Sequence, residues 1–246
     1  LYQVKSQMVV SNDFTGTRVF SNGNNFALFG GHEVTTLPVN VCNSYDHLYE
    51  QMYPTNTWRN NYVAVDIFGR DNTTYRILAL NNNTTVQVDG QNIGTINRGR
   101  FIELRLDSNH FISANNPISV AQFSECASAD RVQNDAFMIL LSPVDQKRSN
   151  VTFIVFDFPG ATSLIRNYYV NVAIQTSCTT NVFLDGNSVA SQFSVLPSNP
   201  NYSIAQIQVI PGVHTLQSPG SGCGFNAYVY GFGNVESYGY SAGVRL

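Results

Sequence analysis

The chain has 246 residues, 43% of them hydrophobic, enough to bury a sizeable core as one large domain or two small ones. Only 12% are charged, about half the usual share of roughly 25%, and the formal net charge is −3 with no run of Lys or Arg. That excludes the basic stripe nucleic-acid binding needs, and the longest apolar runs, such as 137–141, fall far short of the ~18 residues of a membrane span.

In chain order, Leu1-Tyr2-Gln3-Val4 reads as a strand rather than a leader, so a processed or excised piece of a longer chain is expected. Phe26-Ala27-Leu28-Phe29-Gly30 is an apolar strand, and Asp46-His47-Leu48-Tyr49-Glu50-Gln51 is the one stretch that reads as a short helical turn. Residues 62–68 are β-branched and aromatic and stop at Gly69, and two more strands are predicted at 74–80 and 85–88. Asp89-Gly90 closes the second of these as a hairpin, because both residues accept the positive φ of a tight turn. Phe101-Ile102-Glu103-Leu104-Arg105-Leu106 alternates apolar and polar, the pattern of a half-buried strand. Further strands are predicted at 120–124, 151–153, 179–185 and 227–231. Short strands at intervals of about 8–12 residues with Asn/Gly/Pro turns predict an all-β antiparallel sandwich, jelly-roll-like.

The blocks also recur in order. Pro54 precedes Tyr62-Val63-Ala64 at the same distance as Pro143 precedes Val151-Thr152-Phe153. Thr84-Thr85-Val86-Gln87-Val88-Asp89-Gly90 matches 179–186 with one inserted residue. Val120-Ala121-Gln122-Phe123-Ser124 and Ala227-Tyr228-Val229-Tyr230-Gly231 end the two blocks, and residues 26–30 are a third such ending. A period of roughly 90–100 residues follows. It divides the chain into 1–50, the tail of a first β-repeat, 51–140, a second sandwich repeat, and 141–246, a third with a C-terminal tail.

Four cysteines, Cys42, Cys126, Cys178 and Cys223, allow two disulfides in three connectivities, and their spacing fits no zinc site. Cys178 and Cys223 precede strands of one repeat, and Cys42 and Cys126 each follow a closing strand, so these two pairs are favoured. The alternative is an intermolecular bond from Cys42. Sequons at Asn72, Asn82, Asn83, Asn150 and Asn201 are candidate glycosylation sites and, with paired cysteines, favour a secreted, extracellular protein.

Candidate chemistry is sparse. There is no G-x-S-x-G elbow, and His32-Glu33 lacks the second histidine of a zincin helix. His32 and His47 could converge with Asp46 or Glu50, but hydrogen-bonded structural roles are the simpler reading. Asp66 and Asp157 read as turn caps at the ends of matching strands. The Gly-rich run 218–224 reads as a mobile hairpin tip, with a contact loop as its functional alternative. Tyr228, Tyr230, Tyr238 and Tyr240 could form a sugar-stacking face, against which core packing competes. No catalytic residue, metal or cofactor is expected.

Asp13-Phe14-Thr15-Gly16-Thr17-Arg18-Val19, Phe29-Gly30-Gly31-His32-Glu33, Cys42, 46–51, Pro54 with Thr57-Trp58, 229–233 and Ser237-Tyr238-Gly239-Tyr240-Ser241-Ala242-Gly243 occur in an order that resembles the N-terminal domain of IgG Fc-binding protein, found in secreted mucus-type and adhesive proteins. The resemblance covers nearly the whole chain. It departs where Val34 stands in place of a cysteine after Gly-His-Glu, at Asn43, Ser44 and Tyr45 near Cys42, and in Cys178 and Cys223, which look like additions. It implies a structural or adhesive binding module of mucus, matrix or adhesive material, with protein or glycan partners and self-association into assemblies open. A carbohydrate-binding, lectin-like module is the alternative. IgG binding itself does not carry over.

Overall fold

Side chains that alternate between core and solvent select extended backbone, and the regular structure of the chain is almost entirely strand. The computed structural model describes residues 2–6, 13–42, 45–157, 165–234 and 236–244. Leu1, Asn43 and Ser44, which entered the sequence reading, lie outside them. The strands are β1 (Phe29–Thr35), β2 (Asp46–Gln51), β3 (Arg59–Ala64), β4 (Thr73–Ala79), β5 (Thr84–Val88), β6 (Gln91–Ile96), β7 (Phe101–Leu106), β8 (His110–Ser124) and β9 (Phe137–Leu140). They continue as β10 (Asn150–Val155), β11 (Ile165–Gln175), β12 (Phe183–Leu184), β13 (Asn187–Ser188), β14 (Ser194–Val195), β15 (Tyr202–Gln208), β16 (Gly212–Gln217), β17 (Phe225–Gly233) and β18 (Glu236–Ser241).

Three expectations are corrected. Residues 46–51 form β2, not a helical turn, because they pair with β1 and bury Leu48. Residues 2–4 form no strand, and no strand among the described residues pairs with them. Thr176–Asn181 is a 3-10 turn, leaving two strand residues where 179–185 was expected. Thr179 Oγ1 donates to the Thr176 carbonyl there, a local bond that competes with the ladder.

All pairings are antiparallel. β8 spans two layers: β3 and β5 pair with its first half, and β4 and β9 pair with its second. β6 extends β5, and β7 extends β4. In the C-terminal half, β10 and β12 pair with β16, β11 and β18 pair with β17, β13 extends β12, and β15 extends β11. The second set reproduces the pairings of the first in the same chain order, with β16 and β17 in place of the two halves of β8. One core gathers Tyr62, Tyr75, Ile77, Val86, Ile112 and Val120, and the other gathers Val151, Phe153, Val170, Val172, Leu216 and Val229.

The two halves pack through a continuous buried contact. Val63 and Val65 lie against Ala173, Leu196 and Ile204. Tyr169, Tyr228, Tyr230 and Phe232 join the first core, so β17 is buried along its whole length. Asn171 Nδ2 and Gln206 Nε2 both donate to the Asp66 carbonyl (2.7 and 3.0 Å). The β1–β2 pair adds a smaller element, in which Leu37 and Leu48 pack on Phe123 and Ala136.

Candidate binding groove

The junction of the two halves leaves a hollow of about 490 Å³ lined by Asn61, Phe111, Gln175 to Ser177 and Asn199 to Tyr202. A second hollow of about 410 Å³ shares Asn61 and is bordered by Arg59 and Asp145. Phe111 and Tyr202 stack with ring centroids 5.6 Å apart. Each comes from a different half, and register fixes both: Phe111 pairs with Val63, and Tyr202 with Gln175. Thr176 braces the wall, donating to the Pro200 carbonyl (2.8 Å) and meeting Ser203 Oγ at 3.0 Å. Arg59 and Asp145, 3.2 Å apart, form an ion pair at the second hollow. Burial and then the Asp145 carboxylate push the Tyr202 hydroxyl up, which keeps it a neutral donor. The first hollow therefore offers amides, hydroxyls and ring edges with no charged side chain on its wall, a surface for neutral polar ligands rather than for ions.

Two Asp–His pairs were not anticipated from sequence. Asp89 and Asp185 take positive φ (52° and 51°) and are followed by Gly90 and Gly186 at 78° each. Asp89 Oδ2 lies 2.5 Å from His110 Nδ1, and Asp89 Oδ1 accepts the Phe111 N–H at 2.8 Å. Asp185 repeats this with His214 (2.6 Å) and the Thr215 N–H (2.8 Å). Burial pushes the Asp89 carboxyl up, but bonds from Phe111, Ser198 and His110 outweigh it, and the net shift is downward. The legible signal was an Asp-Gly turn followed by one histidine at the start of a later strand, in both halves. Ser108 Oγ lies 3.1 Å from His110 Nε2, which completes a Ser–His–Asp line. At His214 the equivalent nitrogen meets the Ile210 carbonyl at 2.8 Å, with no hydroxyl. The shared element is thus the aspartate clamp across the turn.

The other predicted residues fall as follows. Cys42 is bonded to Cys126 and Cys178 to Cys223, the favoured pairs. Asn82, Asn83, Asn150 and Asn201 are exposed and Asn72 is half-buried, and Asn201 stands on the groove wall. His32 Nδ1 accepts the Val34 N–H, and His47 Nδ1 meets the carboxylate of neighbouring Asp46, so each has its own local partner. Among the described residues no group of three His, Cys, Asp or Glu is placed to hold a metal. Asp66 caps less than it docks: its carboxylate accepts from Gln206 (3.0 Å), and burial pushes it up to about 6. Tyr228 and Tyr230 are core residues, which removes them from a sugar face, while Tyr238 and Tyr240 stack half-buried. The run 218–224 is tied down by the Cys223 disulfide and by Lys147 Nζ donating to the Gly222 carbonyl.

The model of the family described as IgGFc binding protein matches residues 1–231. The chain belongs to the IgGFc binding protein family. No curated protein matches it. A solved structure, Pleurotus ostreatus lectin in its apo form, is similar over 73% of this chain and 74% of that one at 12% identity, with a TM-score of 0.21, too low to carry an argument. Two disulfides close the all-β chain, and no helix among the described residues is long and apolar enough to cross a membrane.

Proposed function

We propose that the chain is a secreted, non-catalytic binding module of an extracellular material such as mucus, matrix or adhesive, built from two tandem sandwich units and the closing strand pair of a third. Membership of the IgGFc binding protein family carries the reading. The recurrence of the pairing pattern and of the Asp–His clamp supports the tandem organisation. By the same correspondence β1–β2 stands for β8–β9 and β17–β18, which makes this strand pair a unit's tail packed on the next unit. Two disulfides, four exposed sequon asparagines and the half-buried Asn72 support an oxidising, secretory route with N-glycans at Asn72, Asn82 or Asn83, Asn150 and Asn201. Self-association is part of this function, since a structural module acts by joining copies. Pull-down from the native secretion, identified by mass spectrometry, tests it: specific retention of extracellular glycoproteins or of the chain itself is expected, and no retention above a reduced, unfolded control counts against it.

The groove favours a second reading, a carbohydrate site. Its first hollow presents Asn and Gln amides beside a stacked aromatic pair, the donor and acceptor mix that hydroxyl-rich ligands need. A glycan array with wild type and Tyr202→Ala separates the readings. Binding that the substitution removes supports the site, and equal signals from both proteins exclude it.

A further inference from the structure

One of the five sequons stands on the groove itself. Asn201-Tyr202-Ser203 supplies two residues of the first hollow, Asn201 and Tyr202, and the Tyr202 ring is the one stacked on Phe111 of the first half. Asn201 lies in the turn just before β15, where its backbone is held. Its N–H donates to Asn199 Oδ1 (3.3 Å), and its carbonyl accepts the Thr176 N–H (2.9 Å). Its side-chain amide, by contrast, has no hydrogen-bond partner among the described residues. Asn72, Asn82, Asn83 and Asn150 do not line the hollow, and Asn82 Oδ1 is engaged by the Arg98 N–H (3.1 Å). The same hollow holds the amides of Asn61 and Gln175. Lys147 Nζ donates to Gln175 Oε1 (2.8 Å), which leaves the Gln175 Nε2 N–H groups for a ligand. Ser203, which completes the sequon, is 2% exposed, with its hydroxyl 3.0 Å from Thr176 Oγ1. A transferase reaches it only before β15 pairs with β11, so the second half closes with the sugar already attached.

We propose that the groove is the seat of the chain's own N-glycan: the sugar linked to Asn201 Nδ2 lies in the first hollow, its apolar ring face on the Phe111–Tyr202 pair and its hydroxyls on the Asn61 and Gln175 amides. In the transfer, Asn201 Nδ2 bonds to the anomeric carbon of a diphosphate-activated oligosaccharide. The anomeric C–O bond breaks, the diphosphate leaves with the electron pair, and the amide gives up one proton. The tether then supplies what an open hollow lacks. A ligand fixed at the wall has an effective concentration on the order of millimolar or above, so weak affinity is enough to keep it seated. The hollow, about 490 Å³, falls in the size range of small-ligand pockets, and its wall carries no charged side chain to be stranded under a neutral N-acetylhexosamine. Phe111 and Tyr202 also pack on the Val63–Ala173 contact, so a sugar carried by the second half and resting on the first braces the joint between them. An outside glycan meets a filled groove and enters only where Asn201 is bare. The proposal rests on the secretory, N-glycosylated reading above and gives one of those glycans its place.

The test uses chain secreted from a eukaryotic host, with occupancy of each sequon read by glycopeptide mass spectrometry. Asn201 is expected to be occupied. Asn201→Gln keeps an amide but ends the sequon, and is expected to lower Tm by roughly 2–4 °C, the shift that one modest contact gives a chain of this size. In chain made without N-glycans the same substitution is expected to leave Tm unchanged, because the Asn201 amide has no protein partner. Phe111→Leu keeps apolar bulk and leaves the sequon whole. In that background the effect of Asn201→Gln on glycosylated chain is expected to shrink to under about 1 °C. If Phe111→Leu does not fold, native-state release replaces it. Peptide N-glycosidase is expected to free the Asn201 glycan of the folded chain several-fold more slowly than those at Asn82 or Asn83 and Asn150, and at their rate once the chain is reduced and denatured. Occupancy of no sequon refutes both this seat and the secretory reading. Occupancy elsewhere with Asn201 bare refutes the seat alone. So does an occupied Asn201 whose loss leaves Tm unchanged, or whose glycan is released as fast as the others.

Discussion

Tyr230→Phe tests the joint between the two halves. The Tyr230 hydroxyl is fully buried, accepts the Phe68 N–H and donates to Asn171 Oδ1, each at 3.0 Å, so it bridges a loop of the first half and a strand of the second. Phenylalanine keeps the ring, which stacks on Tyr169 (5.7 Å between centroids) and Phe137 (6.0 Å), so packing is preserved and only the hydroxyl is lost. Asn171 is 1% exposed, and its oxygen then has no water to turn to. An unsatisfied buried polar group costs about 1–3 kcal/mol. At ~2 kcal/mol, a chain of this size should lose roughly 4–8 °C in Tm, at 2–4 °C per kcal/mol. Tyr238→Phe is the control. Its hydroxyl accepts the Phe156 N–H near the surface (3.0 Å), where water can replace it, and a loss under about 1 °C is expected. Differential scanning calorimetry of both variants decides the matter. Equal shifts in the two, or no shift in Tyr230→Phe, would show that the buried bridge contributes nothing to the joint between the halves.

Further outcomes follow from other parts of the fold. Removing Cys178–Cys223, which closes a separation of 45 residues, should cost about 4 kcal/mol by the chain-entropy model and lower global stability in urea titration. Removing Cys42–Cys126 should instead speed amide exchange in β1–β2 first, because that pair buries little beyond Leu37 and Leu48; uniform acceleration across β10–β18 would contradict this. Burial pushes Glu50 up to about 7, against a weaker lowering bond from the Gln51 N–H. A carboxyl raised in the fold favours its neutral form, so its stabilisation is complete below the ordinary carboxylate range and is lost as pH rises through about 7. Protection of β1–β2 amides relative to their intrinsic exchange rates should therefore fall from pH 5 to 8, and Glu50→Gln should flatten that profile. Ser108 should resist a fluorophosphonate probe, and stoichiometric labelling there would overturn the non-catalytic reading.

The strand content was legible because period-two alternation is local: Phe101–Leu106 and Thr84–Val88 sit where their pattern puts them. The Asp-Gly turns were legible for the same reason, since positive φ selects residue type at the turn itself. β2 was not, because Asp46–Gln51 has little alternation and owes its extended form to pairing with β1. The short β12 was overread because hydroxyl-to-backbone bonds at Thr176–Asn181 beat strand propensity. Tyr228 and Tyr230 were ambiguous because alternation shows that they share a face but not what covers it, and the covering surface comes from residues more than 80 positions away. The groove was invisible for a related reason: Asn61, Phe111 and Tyr202 meet only because the halves dock. The Asp–His clamps combine a local turn with a distant strand, so the turn was read while the later histidine was not joined to it.

The central claim is that this chain binds and does not transform its ligand. The most direct measurement flows fractionated native extracellular secretion over the immobilised, disulfide-bonded chain and compares the mass of each retained component before and after contact. Saturable, reversible retention of a component whose mass is unchanged is the predicted result. Absence of saturable retention, or release of a component with altered covalent mass, would contradict the account.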